Sequence, residues 1–357
     1  QGLDYPYSYV RWTENRNMQE YLRLVAAGEL RLDRILECEY ALEEAPQAYV
    51  DLQNAPEKPL GVILRYPAPD KNTRTTAKGE SKVLLTTRST NGKIRIAVVG
   101  AGNFAKAVHL PNLQKLSDDY SIRAIVSSTG TNAKATAEQF GAAYASTNYQ
   151  DVLDDPDVDA VMICTRHHLH AQQAILAAKA GKSIFLEKPM ALNQDELDQL
   201  VSVLKDTGVP FMVGYNRRYS PAARRIKEVV TGRQNPLMIL YRMNAGYLPP
   251  THWTQTEEGG GRIIGEACHI IDLFQYLVDA PVAEVSATAL APKTEHVLAG
   301  DNVSATLRYA DGSVATLLYT ALGSSELGKE YMEVFFDGKV LILDDYKSLT
   351  VKGTNLP

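Results

Sequence analysis

Between residues 92 and 214 the apolar positions follow two alternating rhythms. Short apolar runs predict strands at 93–99, 121–127, 159–165, 183–187 and 210–214. Stretches with apolar residues three and four apart predict helices at 103–117, 133–140, 169–180 and 195–206. The last of these carries its own start and stop signals: Asn193 as cap, Glu196 three residues on, and Gly208 at the end. Strands separated by helices predict a parallel sheet with right-handed crossovers. After Tyr215 the rhythm changes. Ser220 and Pro221 open a helix that runs to Gly232, and strand-like runs at 237–244 and 282–289 flank a loop-and-helix segment, 246–278. Two hairpins follow, 303–309 with 314–319 through Asp311-Gly312 and 331–336 with 340–343 through Asp337-Gly338. This half reads as a mainly antiparallel sheet with helices over one face.

Upstream, residues 1–67 read as a separate unit with helices at 18–28 and 42–52 and strands at 36–40 and 60–66. Residues 68–91 are rich in Lys, Arg, Thr, Ser and Gly and have little apolar periodicity, so they read as a linker. The expected domains are therefore 1–67, a linker at 68–91, an α/β unit at 92–213 and an α+β unit at 214–357. No internal repeat is visible.

Composition narrows the partners. With 45% hydrophobic and 22% charged residues, this 357-residue chain has the make-up of a soluble globular protein. Its net charge of −5 argues against nucleic acid or an anionic membrane surface as the main partner. Cys38, Cys164 and Cys268 are far apart with no C-x-x-C, which favours reduced thiols in a cytoplasmic protein over zinc or disulfides. No apolar run approaches the ~18 residues of a membrane span, and no secretory signal opens the chain. The start at Gln1, without Met, reads as a fragment.

The candidate chemistry begins at Lys93-Ile-Arg-Ile-Ala-Val-Val-Gly100, where a strand runs into Gly100-x-Gly102-x-x-Ala105 and then a helix. A strand, glycine turn and helix in that order form the phosphate-binding corner of a dinucleotide fold. Gly100 permits the turn, Gly102 lets the backbone approach a pyrophosphate, and Ala105 is small enough for close helix–strand packing. Asn103 and Phe104 open the helix whose N-terminus would face the phosphates. At the end of the second strand an NAD site usually has an acid on the ribose. Here Ser127, Ser128 and Thr129 follow that strand, with Lys134 nearby, so the cofactor reads as NAD(P) with a lean to NADP. His167, His168 and His170 do not converge at metal-ligand spacing, and no metal is expected.

Five stretches resemble the glucose-fructose oxidoreductase / inositol dehydrogenase (Gfo/Idh/MocA) family. They are Gly100-Ala-Gly-Asn-Phe-Ala105, Cys164-Thr-Arg-His-His-Leu-His170, Glu187-Lys-Pro189, Gly214-Tyr-Asn-Arg-Arg218 and Gly259-Gly-Gly-Arg-Ile-Ile-Gly-Glu-Ala-Cys-His269-Ile-Ile-Asp272. Their order and spacing match the family over roughly 92–357. Residues 1–67 are separately similar to the C-terminal end of a medium-chain, zinc-type alcohol dehydrogenase, in Ala27-Gly28-Glu-Leu, Leu42-Glu-Glu-Ala-Pro-Gln-Ala-Tyr49 and Gly61-Val-Ile-Leu64. The pairing resembles bi-domain oxidoreductases linked to polysaccharide biosynthesis, here truncated at both ends. The implied fold is a dehydrogenase remnant, a Rossmann parallel-sheet domain, and a mainly antiparallel sheet domain of the Gfo/Idh/MocA type.

The resemblance implies roles. Lys188, at a strand end beside Glu187, would be the catalytic lysine, with a cis 188–189 bond to aim it, and His269 the general acid/base. The family usually carries an aspartate four residues before that histidine, where this chain has Gly265. Glu266 either substitutes through a backbone shift or caps the following helix. Asp272 either orients the imidazole, the favoured reading, or stands as a solvated helix acid. Thr165 and Arg166 would border the nicotinamide half of the cofactor, with His167 also at the cofactor and His170 packed beneath it in the next helix. Tyr215, Asn216 and Arg217 lie at the expected hinge, with donors for substrate hydroxyls or a carboxylate; Arg218 reads almost equally as an interdomain lock. His252 and Trp253 either floor a sugar pocket or anchor the smaller domain.

The expected function is an NAD(P)-dependent oxidoreductase acting on a sugar-type small molecule, in a homo-oligomer. Two rivals share the motifs: a glycosidase that recycles tightly held NAD(H), and a noncatalytic NAD(P)-binding protein, which Gly265 favours.

Overall fold

In the computed structural model the described residues are 10–32, 35–66, 81–85 and 92–353. The chain divides into two compact units, Gln1–Lys78 and Gly79–Pro357. The first holds helix α1 (Glu14–Ala26), strand β1 (Cys38–Ala41), helix α2 (Ala45–Asn54) and strand β2 (Val62–Arg65), with β1 and β2 paired in parallel. Ala48 is the one buried residue among those described in this unit, and Met18, Leu22, Tyr49 and Leu60 are exposed. An apolar stripe on an uncovered helix has nothing to pack against.

The second unit starts with a correction. Lys82–Leu84, inside the expected linker, is a strand, β3, paired antiparallel with Tyr144–Ser146. Three residues are too few to show a strand period. What holds them is remote: Ser81 Oγ donates to Asp151 Oδ2 at 2.7 Å, and the Lys82 ammonium lies 4.0 Å over the Tyr144 ring. Leu85 follows, its N–H donating to the Ala143 carbonyl at 2.8 Å, and linker residues 68–80 and 86–91 lie outside the described residues.

Then come β4 (Ile94–Val99), α3 (Leu110–Lys115), β5 (Tyr120–Val126), α4 (Gly130–Phe140), β6 (Tyr144–Ser146) and α5 (Gln150–Leu153). They are followed by β7 (Ala160–Ile163), α6 (His170–Lys179), β8 (Ser183–Leu186), α7 (Gln194–Thr207) and β9 (Phe211–Val213). The sheet order is β3-β6-β5-β4-β7-β8-β9, all parallel except β3. Chain order reverses between β4 and β7, and in such sheets a crevice opens beyond the strands' carboxyl ends at that point. Both sheet faces are covered, by two apolar clusters that meet the alternating sides of β4. Asn193 caps α7, its side chain accepting from the Glu196 N–H at 2.9 Å, and Gly208 ends the helix at φ 64°.

The last part contains α8 (Pro221–Thr231), β10 (Met238–Asn244), α9 (Cys268–Val278), β11 (Val282–Ala289), β12 (Val303–Tyr309) and β13 (Val314–Thr320). It ends with β14 (Glu330–Phe336), β15 (Lys339–Asp344) and β16 (Ser348–Gly353). Their sheet runs β11-β12-β13-β10-β14-β15-β16, antiparallel except for the parallel β10–β13 pair. One face packs on α8 and α9 through Ile226, Phe274, Tyr241 and Tyr319. On the open face Met238, Leu240, Leu318 and Phe335 are exposed.

Two π-turns, Ala105–His109 and Ile263–Ala267, begin the two helices that face the crevice. The first precedes Pro111, whose missing N–H interrupts the helical ladder. The second sets the direction of Glu266, as described below.

Candidate active site

The crevice begins at the glycine turn. Gly100 has φ 97°, and a Cβ there would stand 2.6 Å from the Cys164 carbonyl and 2.7 Å from the Thr165 nitrogen. Only glycine fits between β4 and the end of β7. A Cβ on Gly102, by contrast, would meet nothing within 4 Å, so the turn presents bare backbone to open space. That is the approach a pyrophosphate requires. Ala105 is buried beneath it.

A cleft of about 800 Å³ extends from this turn, bordered by Asn103, Phe104, Ser127 and Ser128 at one end and by Thr165, Arg166, His170, Glu187 and Lys188 at the other. At the first end Asn132 organises the surface. Its Nδ2 donates to Ser127 Oγ at 2.8 Å and to the Ala101 carbonyl at 3.0 Å, and its Oδ1 accepts from Lys106 Nζ at 2.5 Å. Two sequence-based candidates do not reach this surface. Thr129 precedes α4 without bordering the cleft, and Lys134 points outward along α4, 3.9 Å from Glu138. One helical turn carries Lys134 past the rim. Lys106, which sequence reasoning missed, reaches Asn132 but does not border the cleft either.

At the second end the Lys188–Pro189 bond is cis. Glu187 beside it is buried, accepts from His109 Nε2 at 2.7 Å, and lies against Gly214, where a Cβ would come within 2.9 Å of its Oε1. Lys188 Nζ donates to the Gly265 carbonyl at 2.7 Å. His269 is buried beside the Tyr215 ring, and its Nδ1 has no partner. Burial, reinforced by the Arg217 and Lys188 charges, lowers its pKa to about 3, so the ring is neutral at ordinary pH. His170 lies between two carbonyls, with Nδ1 2.8 Å from Pro189 O and Nε2 3.2 Å from Thr165 O; burial lowers its pKa, and the neutral ring donates to one of them.

Beyond Lys188 and His269 lies an inner pocket of about 390 Å³ that shares both residues, with His167, Arg217 and Trp253, with the main cleft. Arg217 is held by a two-pronged ion pair with Glu330, 2.7 Å on each arm, while Asn216 borders the main cleft. Trp253 meets the His167 ring edge-on at 4.8 Å and carries the Arg166 guanidinium 4.2 Å over its own ring. Trp253 thus borders both cavities. Its neighbour His252 bonds Thr254 Oγ1 at 2.8 Å and borders neither cavity.

Two carboxylates depart from expectation. Asp272 does not touch His269; it pairs with Arg218, whose Nε donates to Oδ2 at 2.8 Å, and burial raises its pKa despite that partner. Glu266 borders the inner pocket but does not reach Lys188. It takes hydrogen bonds from Lys329 at 2.6 Å, Arg262 at 3.1 Å and the Tyr319 hydroxyl. Burial opposes its charge, yet those donors bring its pKa down to about 2. The π-turn leaves Gly265 at the lysine and swings the next side chain toward β13 and Lys329. At Gly265 the space is already taken. A Cβ there would stand 2.9 Å from Cε1 of His167, whose Nδ1 donates to the Gly259 carbonyl at 2.8 Å. Among the described residues no group of three His, Cys, Asp or Glu is arranged to hold a metal ion.

Residues 94–215 match the model of the GFO_IDH_MocA oxidoreductase family, with NAD-binding Rossmann fold, and residues 222–338 match the GFO/IDH/MocA C-terminal domain. The chain belongs to the Gfo/Idh/MocA family. It is 30% identical over 231 residues to myo-inositol 2-dehydrogenase of Thermotoga maritima, covering 63% of this chain and 67% of that protein. It is 31% identical over 199 residues to levoglucosan dehydrogenase of Pseudarthrobacter phenanthrenivorans, covering 52% of this chain and 51% of that one. A structure of a levoglucosan dehydrogenase with NADH and levoglucosan superposes with a TM-score of 0.64 at 26% identity, covering 73% of this chain and 76% of that chain. The chain spans about two thirds of its curated relatives: 66% of an uncharacterised oxidoreductase of Bacillus subtilis, to which it is 29% identical over 228 residues. This chain therefore carries an NAD-binding Rossmann fold followed by the family's second sheet. The family matches begin at residue 94 and do not include the N-terminal unit.

Proposed function

We propose that this chain transfers hydride between a nicotinamide dinucleotide and a secondary alcohol of a sugar or cyclitol. The observation that carries this is the junction of two cavities at Lys188 and His269. The longer one starts at bare glycine backbone suited to a pyrophosphate, and the shorter is walled by donors and an aromatic ring suited to a polyol. The dinucleotide would lie along Gly100, Gly102, Ser127 and Thr165, and its nicotinamide supplies the hydride acceptor or donor at C4. Lys188, fixed by the Gly265 carbonyl, keeps its remaining N–H bonds for the substrate oxygen and stabilises developing alkoxide charge. His269, neutral and desolvated, exchanges the hydroxyl proton. Arg217, held rigid by Glu330, and the face of Trp253 orient the ring.

Several finer readings belong to the same proposal. The cofactor preference is for NADP, since Ser127 and Ser128 offer no carboxylate to repel a 2′-phosphate. The exposed apolar positions on the second sheet's open face are where copies of the chain would associate. The N-terminal unit is the tail of a zinc-type dehydrogenase in a bi-domain enzyme of polysaccharide biosynthesis, working in the cytoplasm. No helix among the described residues is long and apolar enough to cross a membrane.

The test is oxidation of a panel of cyclitols, anhydrosugars and nucleotide-linked sugars with NAD+ and NADP+, followed by absorbance of the reduced cofactor. The expected result is net accumulation of reduced cofactor that Lys188→Ala abolishes. Release of a reducing sugar without net reduction would instead identify the glycosidase. Tight cofactor binding with no turnover, indifferent to Lys188→Ala, would identify a noncatalytic binder.

A further inference from the structure

The inner pocket is rich in donors and short of acceptors. Lys188, Arg217, Arg262 and Lys329 line it, and each of these side chains can only donate. Its carboxylate, Glu266, already receives Lys329, Arg262 and the Tyr319 hydroxyl, and the Gly265 carbonyl is taken by Lys188. A polyol hydroxyl has a hydrogen to give as well as an oxygen to be bonded, and burying it without an acceptor costs free energy. In the hydride-transfer reading His269 serves the hydroxyl that is oxidised, so the neighbouring hydroxyls need another acceptor.

His167 carries one. Its Nδ1 lies 2.8 Å from the Gly259 carbonyl, so that nitrogen holds the hydrogen and Nε2 of the neutral ring holds the lone pair. Burial, helped by the Lys188 charge and opposed by the Gly259 bond, lowers the pKa to about 4 and keeps the ring neutral at ordinary pH. Nε2 has no partner among the described residues, yet it is not sealed from solvent as Nδ1 of His269 is, and His167 borders both cavities. Trp253, edge-on at 4.8 Å, fixes the ring further. Gly265 makes room for it, since a Cβ there would stand 2.9 Å from Cε1, the atom between the two nitrogens. The carbonyl of the same glycine holds Lys188, so imidazole and ammonium flank one residue.

We propose that His167 is a specificity residue whose Nε2 accepts the hydrogen of a substrate hydroxyl on a carbon next to the one oxidised. This rests on the hydride-transfer reading and narrows its substrates to polyols in which that neighbouring hydroxyl is free.

The test is steady-state oxidation of myo-inositol, levoglucosan and UDP-glucose by the whole chain with NAD+ and NADP+. Beside each compound run analogues in which one hydroxyl flanking the oxidised carbon, identified from the product, is replaced by hydrogen. Loss of one of the two flanking hydroxyls should raise KM for the native chain at least ~10-fold. His167→Asn keeps a donor for the Gly259 carbonyl and removes the acceptor at Nε2. It should raise KM for the intact polyol by a similar factor, with a smaller change in kcat, and leave KM for that deoxy analogue within about twofold. His167→Gln, which returns an amide oxygen near the position of Nε2, should recover most of the loss. Native KM values indifferent to both replacements would overturn the proposal without any variant. So would a His167→Asn chain that loses activity equally on polyol and analogue, or loses none. No turnover of any of these compounds by the native chain would sink the hydride-transfer reading as well, a separate result from turnover that ignores His167.

Discussion

The two ends of the main cleft are built by different means. At the phosphate end the surface comes from backbone and a few small side chains, drawn from residues 100–132. At the lysine end it comes from side chains far apart in sequence: His167, Lys188, Arg217 and His269, with Glu330 behind them. The contrast teaches where each end is vulnerable. Steric exclusion at one or two glycines decides the first, and a network of partnered charges decides the second.

The largest effect should fall on the glycine end. Gly100→Ala combines a disfavoured φ with a 2.6 Å approach to the Cys164 carbonyl, and should cost about 4–6 kcal/mol in urea unfolding. Gly102→Ala, two residues on, should change stability by no more than ~0.5 kcal/mol, because its Cβ meets open space. It should nevertheless weaken NAD(P)H binding by roughly tenfold or more, since that space is where the phosphates come. Equal destabilisation by both substitutions would erase the distinction between a packing glycine and a ligand glycine.

Next in size is the partner of a buried charge. Glu330→Ala strands the Arg217 guanidinium and should cost about 3–5 kcal/mol. Gly265→Asp should cost less, about 1–3 kcal/mol, by pushing on the His167 ring 2.9 Å away. In a His167→Ala background the same substitution should cost little, so a double-mutant cycle should show strong coupling. Additive effects would mean that the imidazole does not fill the missing side chain's place.

The effect smallest per step, taken per pH unit, is spread over acid pH. His269 is neutral in the folded protein down to about pH 3, whereas the unfolded chain takes up a proton near its ordinary pKa of 6.5. Stability should therefore fall as pH drops below 6.5, by up to about 1.4 kcal/mol per unit for this residue. Glu266, kept ionised to about pH 2 when folded, adds a loss in the same direction between 4.5 and 2. Urea midpoints between pH 7 and 5 should fall less for His269→Gln than for the native chain. An unchanged pH dependence would show the imidazole to be hydrated.

The same contrast explains what was legible in the sequence. Gly100, Gly102 and Ala105 announce the phosphate end because their requirements are local, as do Ser220-Pro221 at a helix start and Asp311-Gly312 and Asp337-Gly338 in their hairpins. The lysine end was only half readable. Lys188 and His269 could be named from motifs, but Glu266 was aimed wrongly because a π-turn, invisible to a 3.6-residue period, sets its direction. Asp272 found Arg218, 54 positions away, rather than the histidine three residues before it. Lys329 and Glu330 carry no local mark at all; only the pairing of β14 with β10 brings them to the site. β3 and β6 escaped for another reason, each being three residues held by pairing rather than by pattern.

The most direct measurement is a crystal structure of the chain with NADP+ bound. The pyrophosphate should lie on the N–H groups after Gly100, with the nicotinamide C4 facing the Lys188 ammonium and the inner pocket beyond it. A dinucleotide in the reverse orientation, or a nicotinamide ring far from Lys188 and His269, would contradict the account.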